Sequence, residues 1–104
     1  MFSIPNKVFE TEHFSRLYET LQEKEKNWIK KMIAQLKESS KVGKPLRFDW
    51  FREKKFEGNR LFYLIYNDLE KVLLVAYGEK KNQQKIIEEI IRNKDEYKKL
   101  MEKL

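Results

Sequence analysis

Two apolar runs, Leu61–Tyr66 and Val72–Tyr77, dominate the hydrophobic pattern of the chain. Each run is rich in β-branched and aromatic residues and has the length of one strand. The polar link between them, Asn67–Glu70, begins with good turn formers. This pattern predicts a β-hairpin. Because both runs are nearly continuous in hydrophobicity, we expect two central strands whose faces are both at least partly covered.

Helical periodicity precedes and follows the hairpin. Apolar residues spaced i, i+3, i+4 and i+7 predict two amphipathic helices near 12–22 and 25–39. Thr11 is the expected N-cap of the first helix. A third stripe covers Ile86–Leu104, with a predicted break at Asn93–Asp95. The two N-terminal helices are expected to form an antiparallel hairpin.

Two further segments have the composition of strands. Trp50–Glu57, aromatic at its ends and charged in the middle, is a candidate strand beside the hairpin. Ile4–Phe9 is a short possible strand, which Pro5 restricts to a sheet edge or to irregular structure. Gly43–Asp49 is predicted to be a loop. We therefore expect a single α+β domain over residues 1–104. It should be an antiparallel β-meander of three to four strands, with the helical hairpin packed on one face and a C-terminal helix.

The second face of this meander is expected to be an open, shallow surface. In an antiparallel pair the start of one strand lies beside the end of the next. Arg60 is therefore expected at the same end of the sheet as Lys80 and Lys81. We call the cations expected to flank the open face the basic rim: Arg52, Lys54, Lys55, Arg60, Lys80 and Lys81.

Charge and composition narrow the possible functions. The net charge of +6 favours a polyanionic or acidic partner. The chain has no cysteine, which excludes disulfides, thiolate chemistry and cysteine zinc sites and fits a cytoplasmic protein. A single histidine, His13, argues against a histidine-built metal site. No apolar run approaches the roughly 20 residues that cross a bilayer. We expect no membrane association, no metal and no small-molecule cofactor.

Several short motifs occur in a characteristic order. Arg60–Tyr63 has an arginine and a tyrosine three positions apart at a strand start, and Phe51–Lys55 is a strand with a glutamate at its centre. Val72–Gly78 runs into Lys80–Gln83, a Lys-Lys-Asn-Gln segment. The loop Gly43–Arg47 precedes these motifs and Asp95–Tyr97 follows them. Together they resemble the RelE/ParE superfamily of toxin–antitoxin toxins, and most closely its HigB-like and RelE-like branch, with Lys55 at an arginine position of the HigB-like pattern.

The resemblance implies a small cytoplasmic toxin that a cognate antitoxin holds inactive, with mRNA and the ribosome as its partners. Most RelE-like and HigB-like members cleave mRNA in the ribosomal A site, whereas ParE-like members poison DNA gyrase. This chain departs from the ribonucleases, because it has no histidine near the basic rim and no tyrosine shortly after Lys81. Three functions stay open: an mRNA endoribonuclease, a ParE-like gyrase inhibitor, and a RelE-fold binding module without catalysis.

RNA cleavage by the 2′-hydroxyl needs a proton acceptor, a group that stabilises charge on the phosphorus oxygens, and a proton donor for the leaving 5′ oxygen. Arg60 is the candidate for the scissile phosphate, because a guanidinium binds phosphate bidentately. Repulsion within a cluster of cations favours the neutral lysine that proton transfer needs. The proton-transfer candidates are Lys54 and Lys55, then Glu53 and Glu79 as bases. Lys80 and Lys81 are candidates to stabilise the leaving group or to contact the RNA backbone. Arg47 and Arg52 are further candidates for RNA binding, and Phe56 and Tyr66 are candidates to stack on bases.

Each candidate also has a structural interpretation. Lysines on a surface strand are often solvated and protect a sheet edge from aggregation. Arg60 can equally pair with Glu53 or Glu57. As a rim arginine in a surface pair, it is expected to contribute only about 0–1 kcal/mol to folding. We also expect the antitoxin to lay an acidic segment, extended or helical, over the basic rim.

Overall fold

The structure, a computed structural model, describes residues 6–104. Within this range the elements follow one another as β1 (Lys7–Glu10), α1 (Glu12–Glu19), α2 (Glu23–Glu38), β2 (Lys44–Pro45), β3 (Phe51–Phe56), β4 (Asn59–Tyr66), β5 (Lys71–Glu79), α3 (Gln83–Arg92) and α4 (Lys94–Lys103). Single turns of 3-10 helix lie at Asn67–Leu69 and Lys80–Asn82. Among these described helices, none combines the length and apolar character that a membrane span requires.

The strands form one five-stranded sheet in the order β1-β5-β4-β3-β2. The predicted hairpin is confirmed, since β4 and β5 pair antiparallel, and β3 pairs antiparallel with β4. The α+β class is confirmed as well. Two features differ from the expectation. Lys44–Pro45, predicted to be loop, forms a short edge strand against β3. The N-terminal strand does lie at an edge, but parallel to β5; Ile4 and Pro5 of the predicted strand lie outside the described residues.

The predicted helical hairpin packs on one face of the sheet. Its buried stripe, which includes Phe14, Ile29 and Leu36, contacts Leu61 and Leu74 of the central strands. Local sequence defines where the helices begin. Thr11 caps α1, because its hydroxyl accepts a hydrogen bond from the backbone N–H of Phe14, and α2 begins with a capping box.

The second face of the sheet is covered, which confirms that both faces of the central strands are at least partly covered and corrects the expectation of an open surface. Ile87 and Ile90 of α3 and Met101 of α4 are buried against Phe62 and Leu73. An exposed sheet face this apolar would cost free energy, and the Ile-rich stripe of α3 needs a partner for the same reason. The Nζ atom of Lys71 on β5 also donates to the backbone carbonyls of Met101 and Leu104 near the end of α4. The sheet is therefore packed between two pairs of helices.

The loop between α2 and β3 is fixed by two side chains from the sheet. The Tyr63 hydroxyl, fully buried on β4, accepts from the Gly43 N–H at 2.7 Å and donates to the Ser40 carbonyl at 2.9 Å. Arg52 on β3 donates to the Gly43 carbonyl at 2.9 Å. Gly43 thus lies so close to the sheet that a Cβ atom there would be 2.5 Å from the carbonyl oxygen of Glu53 and 2.9 Å from the Tyr63 hydroxyl.

Substituting Gly43→Ala is expected to destabilise the protein by about 1–3 kcal/mol, because the added methyl group meets backbone that cannot yield without breaking the Tyr63 and Arg52 hydrogen bonds. Gly58→Ala is the matched control, since a Cβ atom at Gly58 would have no heavy atom within 4 Å. Urea denaturation of both variants checks the prediction. Equal midpoints for Gly43→Ala and Gly58→Ala would show that the loop is not held as described.

Candidate active site

A buried ion pair lies at the end of the sheet where β4 begins. Arg60 stands opposite Lys55 of β3 and opposite Gly78 of β5, and Glu53 points to the same face of the sheet. The Nε atom of Arg60 is 3.6 Å from Oε2 of Glu53, and the two side chains are only 6% and 5% exposed. Arg60 is therefore not a rim arginine in a surface pair. The expectation of a surface pair is wrong, because α3 packs on the face on which Arg60 lies and the pair is buried.

Gln83, the first residue of α3, holds the carboxylate of this pair. Its Nε2 atom donates to Oε2 of Glu53 at 2.7 Å. The sequence pattern identified Gln83 only as part of a helix start. No local signal pairs it with Glu53, since the contact joins residues 30 positions apart. The carboxylate is thus fixed from two sides, by the Gln83 amide and the Arg60 guanidinium.

The Arg60 guanidinium has hydrogen-bonding capacity that the protein does not use. Its buried Nε atom lies 3.6 Å from Oε2 of Glu53, too far for a hydrogen bond, and no side-chain hydrogen bond in the described part of the chain involves Arg60. A guanidinium carries five N–H donors in a planar fork. Because the Nε atom faces the Glu53 carboxylate, the donors left for a ligand are those of the two Nη atoms. The ligand that fits the fork is a carboxylate or a phosphate.

Three exposed lysines lie at the same end of the sheet. Lys55 is the direct cross-strand neighbour of Arg60. Lys80 and Lys81 follow β5, where the Lys80 N–H donates to the Gly58 carbonyl at 3.3 Å. The predicted juxtaposition of Arg60 with this lysine pair is confirmed. The Nζ atom of Lys81 is 3.4 Å from Oε2 of Glu79 in an exposed ion pair. Only Arg60 among these cations is buried.

The other predicted site residues lie elsewhere. Arg52 is buried and donates to the Gly43 carbonyl and to both the backbone carbonyl and the carboxylate of Asp49, so its guanidinium is used in fixing the loop and is not part of an exposed rim. Lys54 projects to the opposite face of β3 from Arg60, since strand side chains alternate. Arg47 is exposed on the loop between β2 and β3.

The two aromatic candidates for base stacking are also separated from Arg60. Phe56 stacks on Trp28 of α2 with ring centroids 4.8 Å apart, on the other face of the sheet. Tyr66 is at the far end of β4, where it lines a cavity of about 510 Å³ together with Trp50 and Lys94. Burial, with a further contribution from nearby Tyr97, raises the pKa of Tyr66 to about 12. Neither ring therefore lies near Arg60: Phe56 is on the opposite face of the sheet, and Tyr66 is at the opposite end of β4.

On the opposite face of the sheet, Glu25 of α2 forms hydrogen bonds with residues at the ends of β4 and β5. Its Oε2 atom accepts from the Tyr77 hydroxyl at 2.7 Å and from Nδ2 of Asn59, the neighbour of Arg60, at 3.2 Å. Burial and the Glu25 carboxylate raise the pKa of Tyr77 well above its usual value, so the hydroxyl keeps its proton and remains a donor. These contacts anchor the segment that carries Arg60.

Comparison with solved structures identifies the fold. The chain superposes on a double mutant of the E. coli RelE toxin in the free state with a TM-score of 0.72 at 16% identity, over 85% of this chain and 97% of that one. The intact E. coli RelBE toxin–antitoxin complex matches with a TM-score of 0.64 at 18% identity, over 71% and 95%. The RelBE2 toxin–antitoxin complex from Mycobacterium tuberculosis matches with a TM-score of 0.61 at 20% identity, over 76% and 95%. No family model and no curated protein matches the sequence. The chain has the fold of the RelE toxins.

Proposed function

We propose that this protein is the toxin of a toxin–antitoxin pair and that it cleaves mRNA on translating ribosomes. The fold supports the class of protein. The observation that carries the activity is the buried Arg60 guanidinium, whose unused donors lie beside the Glu53 carboxylate at the lysine-rich end of the sheet. An anion-binding donor group next to a fixed carboxylate supplies two of the three groups that phosphodiester cleavage by the 2′-hydroxyl needs.

In the proposed reaction the scissile phosphate binds to the free N–H groups of Arg60. Guanidinium and phosphate match in bidentate geometry, and the contact strengthens as negative charge builds on the phosphorus oxygens. Burial increases the effect, because charges interact more strongly where water is excluded.

Glu53 is the proposed acceptor of the 2′-hydroxyl proton. It is on the same face as Arg60, and the Gln83 amide orients it. Lys55 is the proposed proton donor to the leaving 5′ oxygen, and its position directly opposite Arg60 on the adjacent strand supports this role. Lys80 and Lys81 are assigned to the RNA backbone on either side of the scissile bond. Lys54 projects to the other face of the sheet and has no role in this centre.

A cognate antitoxin is the proposed partner in the cytoplasm. The RelBE complexes with the same fold are toxins bound to antitoxins. The net charge of +6 suits an acidic segment lying across Lys55, Lys80 and Lys81. Because these lysines are exposed, we expect the affinity of such a complex to fall as salt is added. A co-purified partner that leaves the three lysines accessible would contradict this placement.

Induced expression in a bacterial host tests the proposed function. We expect growth to stop together with protein synthesis, and mRNA cut within coding regions when purified protein is added to translating ribosomes. An arrest of DNA replication that precedes any loss of translation would instead assign the chain to gyrase inhibition. Normal growth at a high level of folded protein would indicate a RelE-fold binding module without catalysis. Co-expression of the reading frame that neighbours the toxin gene, if it encodes an antitoxin, should restore growth.

A further inference from the structure

A second basic feature lies along the edge of β3. Lys44 on one side and Lys54 and Lys55 on the other line a groove of about 460 Å³, with Val42, Gly43 and Glu53 completing its walls. This volume is within the range of ligand-binding clefts. The groove forms because β2 is only two residues long. Beyond Lys44 the chain turns inward at Gly43 to reach Tyr63, which leaves the edge of β3 uncovered.

The positive charge of this groove is not neutralised by the protein. In the described part of the chain, none of the lysines that line it forms an ion pair. Glu53 supplies the carboxylate among the lining residues, and that carboxylate is paired with Arg60 and accepts a hydrogen bond from Gln83. Three ammonium groups around one cleft therefore create a local positive potential, and a polyanion is the ligand that such a potential attracts.

The groove shares two lining residues, Glu53 and Lys55, with the candidate active site. Lys55 belongs to both, because it lines the groove and also stands directly opposite Arg60. We propose that this groove binds the backbone of a single-stranded RNA next to the phosphate held by Arg60, with Lys44 and Lys54 contacting phosphates that flank the cleaved bond. The inference rests on the proposed function for the identity of the RNA, and it assigns roles to two lysines outside the reaction centre.

The geometry favours RNA over an extended peptide in this groove. A peptide that adds to a sheet edge gains affinity from a run of main-chain hydrogen bonds. Here β2 already occupies the edge opposite Arg52 and Glu53, and β3 ends at Phe56, so the open edge is very short. A nucleic acid backbone needs only the ammonium groups, and positively charged grooves that follow the backbone are typical of single-strand binding.

The test is binding of a fluorescent single-stranded RNA of about 10 nucleotides, 2′-O-methylated throughout so that it cannot be cleaved, measured by anisotropy over a range of salt concentrations. The variant is Lys44→Gln/Lys54→Gln, which leaves Lys55 and the reaction centre intact. Loss of two phosphate contacts should reduce the slope of log K against log salt by about 1.4 and weaken binding roughly tenfold or more near 0.1 M salt.

The matched control is Lys7→Gln/Lys103→Gln, which removes the same charge from exposed residues away from the groove; β1, which carries Lys7, is the opposite edge strand of the sheet. It should bind like the wild type. The proposal is overturned if the wild type does not bind this RNA, or if the two double variants behave alike. It is also overturned if an acidic peptide, but not RNA, loses affinity for Lys44→Gln/Lys54→Gln.

Ribosomal cleavage separates this inference from the proposed function. If wild-type protein cuts mRNA while RNA affinity does not depend on Lys44 and Lys54, the nuclease assignment stands and the groove assignment is wrong. If RNA affinity depends on both lysines while no cleavage occurs, the groove assignment stands and the nuclease assignment is wrong.

Discussion

Arg60→Ala is expected to lower the free energy of unfolding by about 3–5 kcal/mol, because it leaves the buried Glu53 carboxylate without its counter-ion. The Gln83 amide would remain as a hydrogen-bond donor to Glu53, but it carries no charge. Urea denaturation followed by circular dichroism measures this loss. Arg60→Lys should recover part of it, since an ammonium restores the charge without the planar fork. A loss below about 1 kcal/mol would place Arg60 among surface pairs and contradict its burial.

A double variant separates the structural role of this pair from its chemical role. Replacing a buried ion pair with apolar residues of similar volume is often neutral or stabilising. Arg60→Met combined with Glu53→Leu should therefore be close to wild type in stability. Because the double variant has neither a phosphate-binding guanidinium nor a carboxylate at this position, it should not cleave RNA. Failure of the double variant to fold would show that the pair specifies the fold beyond the removal of charge.

Glu53→Gln is expected to reduce single-turnover mRNA cleavage on ribosomes by roughly 10²–10⁴-fold, the usual contribution of a positioned proton acceptor. The amide keeps the shape of the side chain and an oxygen that can accept from Gln83, but it does not take up the 2′-hydroxyl proton. Arg60 loses its counter-ion in this variant, so cleavage must be measured well below its melting temperature.

Glu57→Gln is the matched control for this prediction. Glu57 follows β3 by one residue, and its exposed side chain pairs with Lys24 at 3.0 Å. Its substitution should leave cleavage unchanged. If Glu53→Gln, shown to be folded, cleaves as fast as Glu57→Gln, then Glu53 is a structural counter-ion and the proton acceptor is another group, with Lys55 as the first alternative.

Local pattern was sufficient to predict most of the fold. Hydrophobic periodicity and turn-forming residues predicted the hairpin, the two N-terminal helices and the break near Asn93, and the structure contains all of them. The unbroken hydrophobicity of Leu61–Tyr66 predicted that both faces are at least partly covered, and the expectation of an open second face did not follow that signal. The parallel pairing of β1 with β5 was not predictable, because it joins segments more than 60 positions apart with few side chains to specify it.

The site was less predictable than the fold for a definite physical reason. Sequence placed Arg60 beside Lys80 and Lys81, because strand ends in a hairpin are adjacent. Burial, however, depends on where α3 lies, and strand periodicity does not report that position. The same limit applies to Arg52, whose bonds to Gly43 and Asp49 arise from the path of a loop. Every second residue along a strand points to the same face of the sheet. Because Lys55 lies opposite Arg60, the neighbouring Lys54 must point to the other face.

Mapping of the 5′ ends of mRNA after incubation with translating ribosomes tests the central claim most directly. The assay compares wild-type protein with the Arg60→Met/Glu53→Leu variant, at equal concentration and after both are shown to be folded. We predict that the wild type cuts mRNA within codons on the ribosome and that the double variant produces no cut above background. Cleavage by the double variant at the wild-type rate would contradict the assignment of Arg60 and Glu53 as the reaction centre.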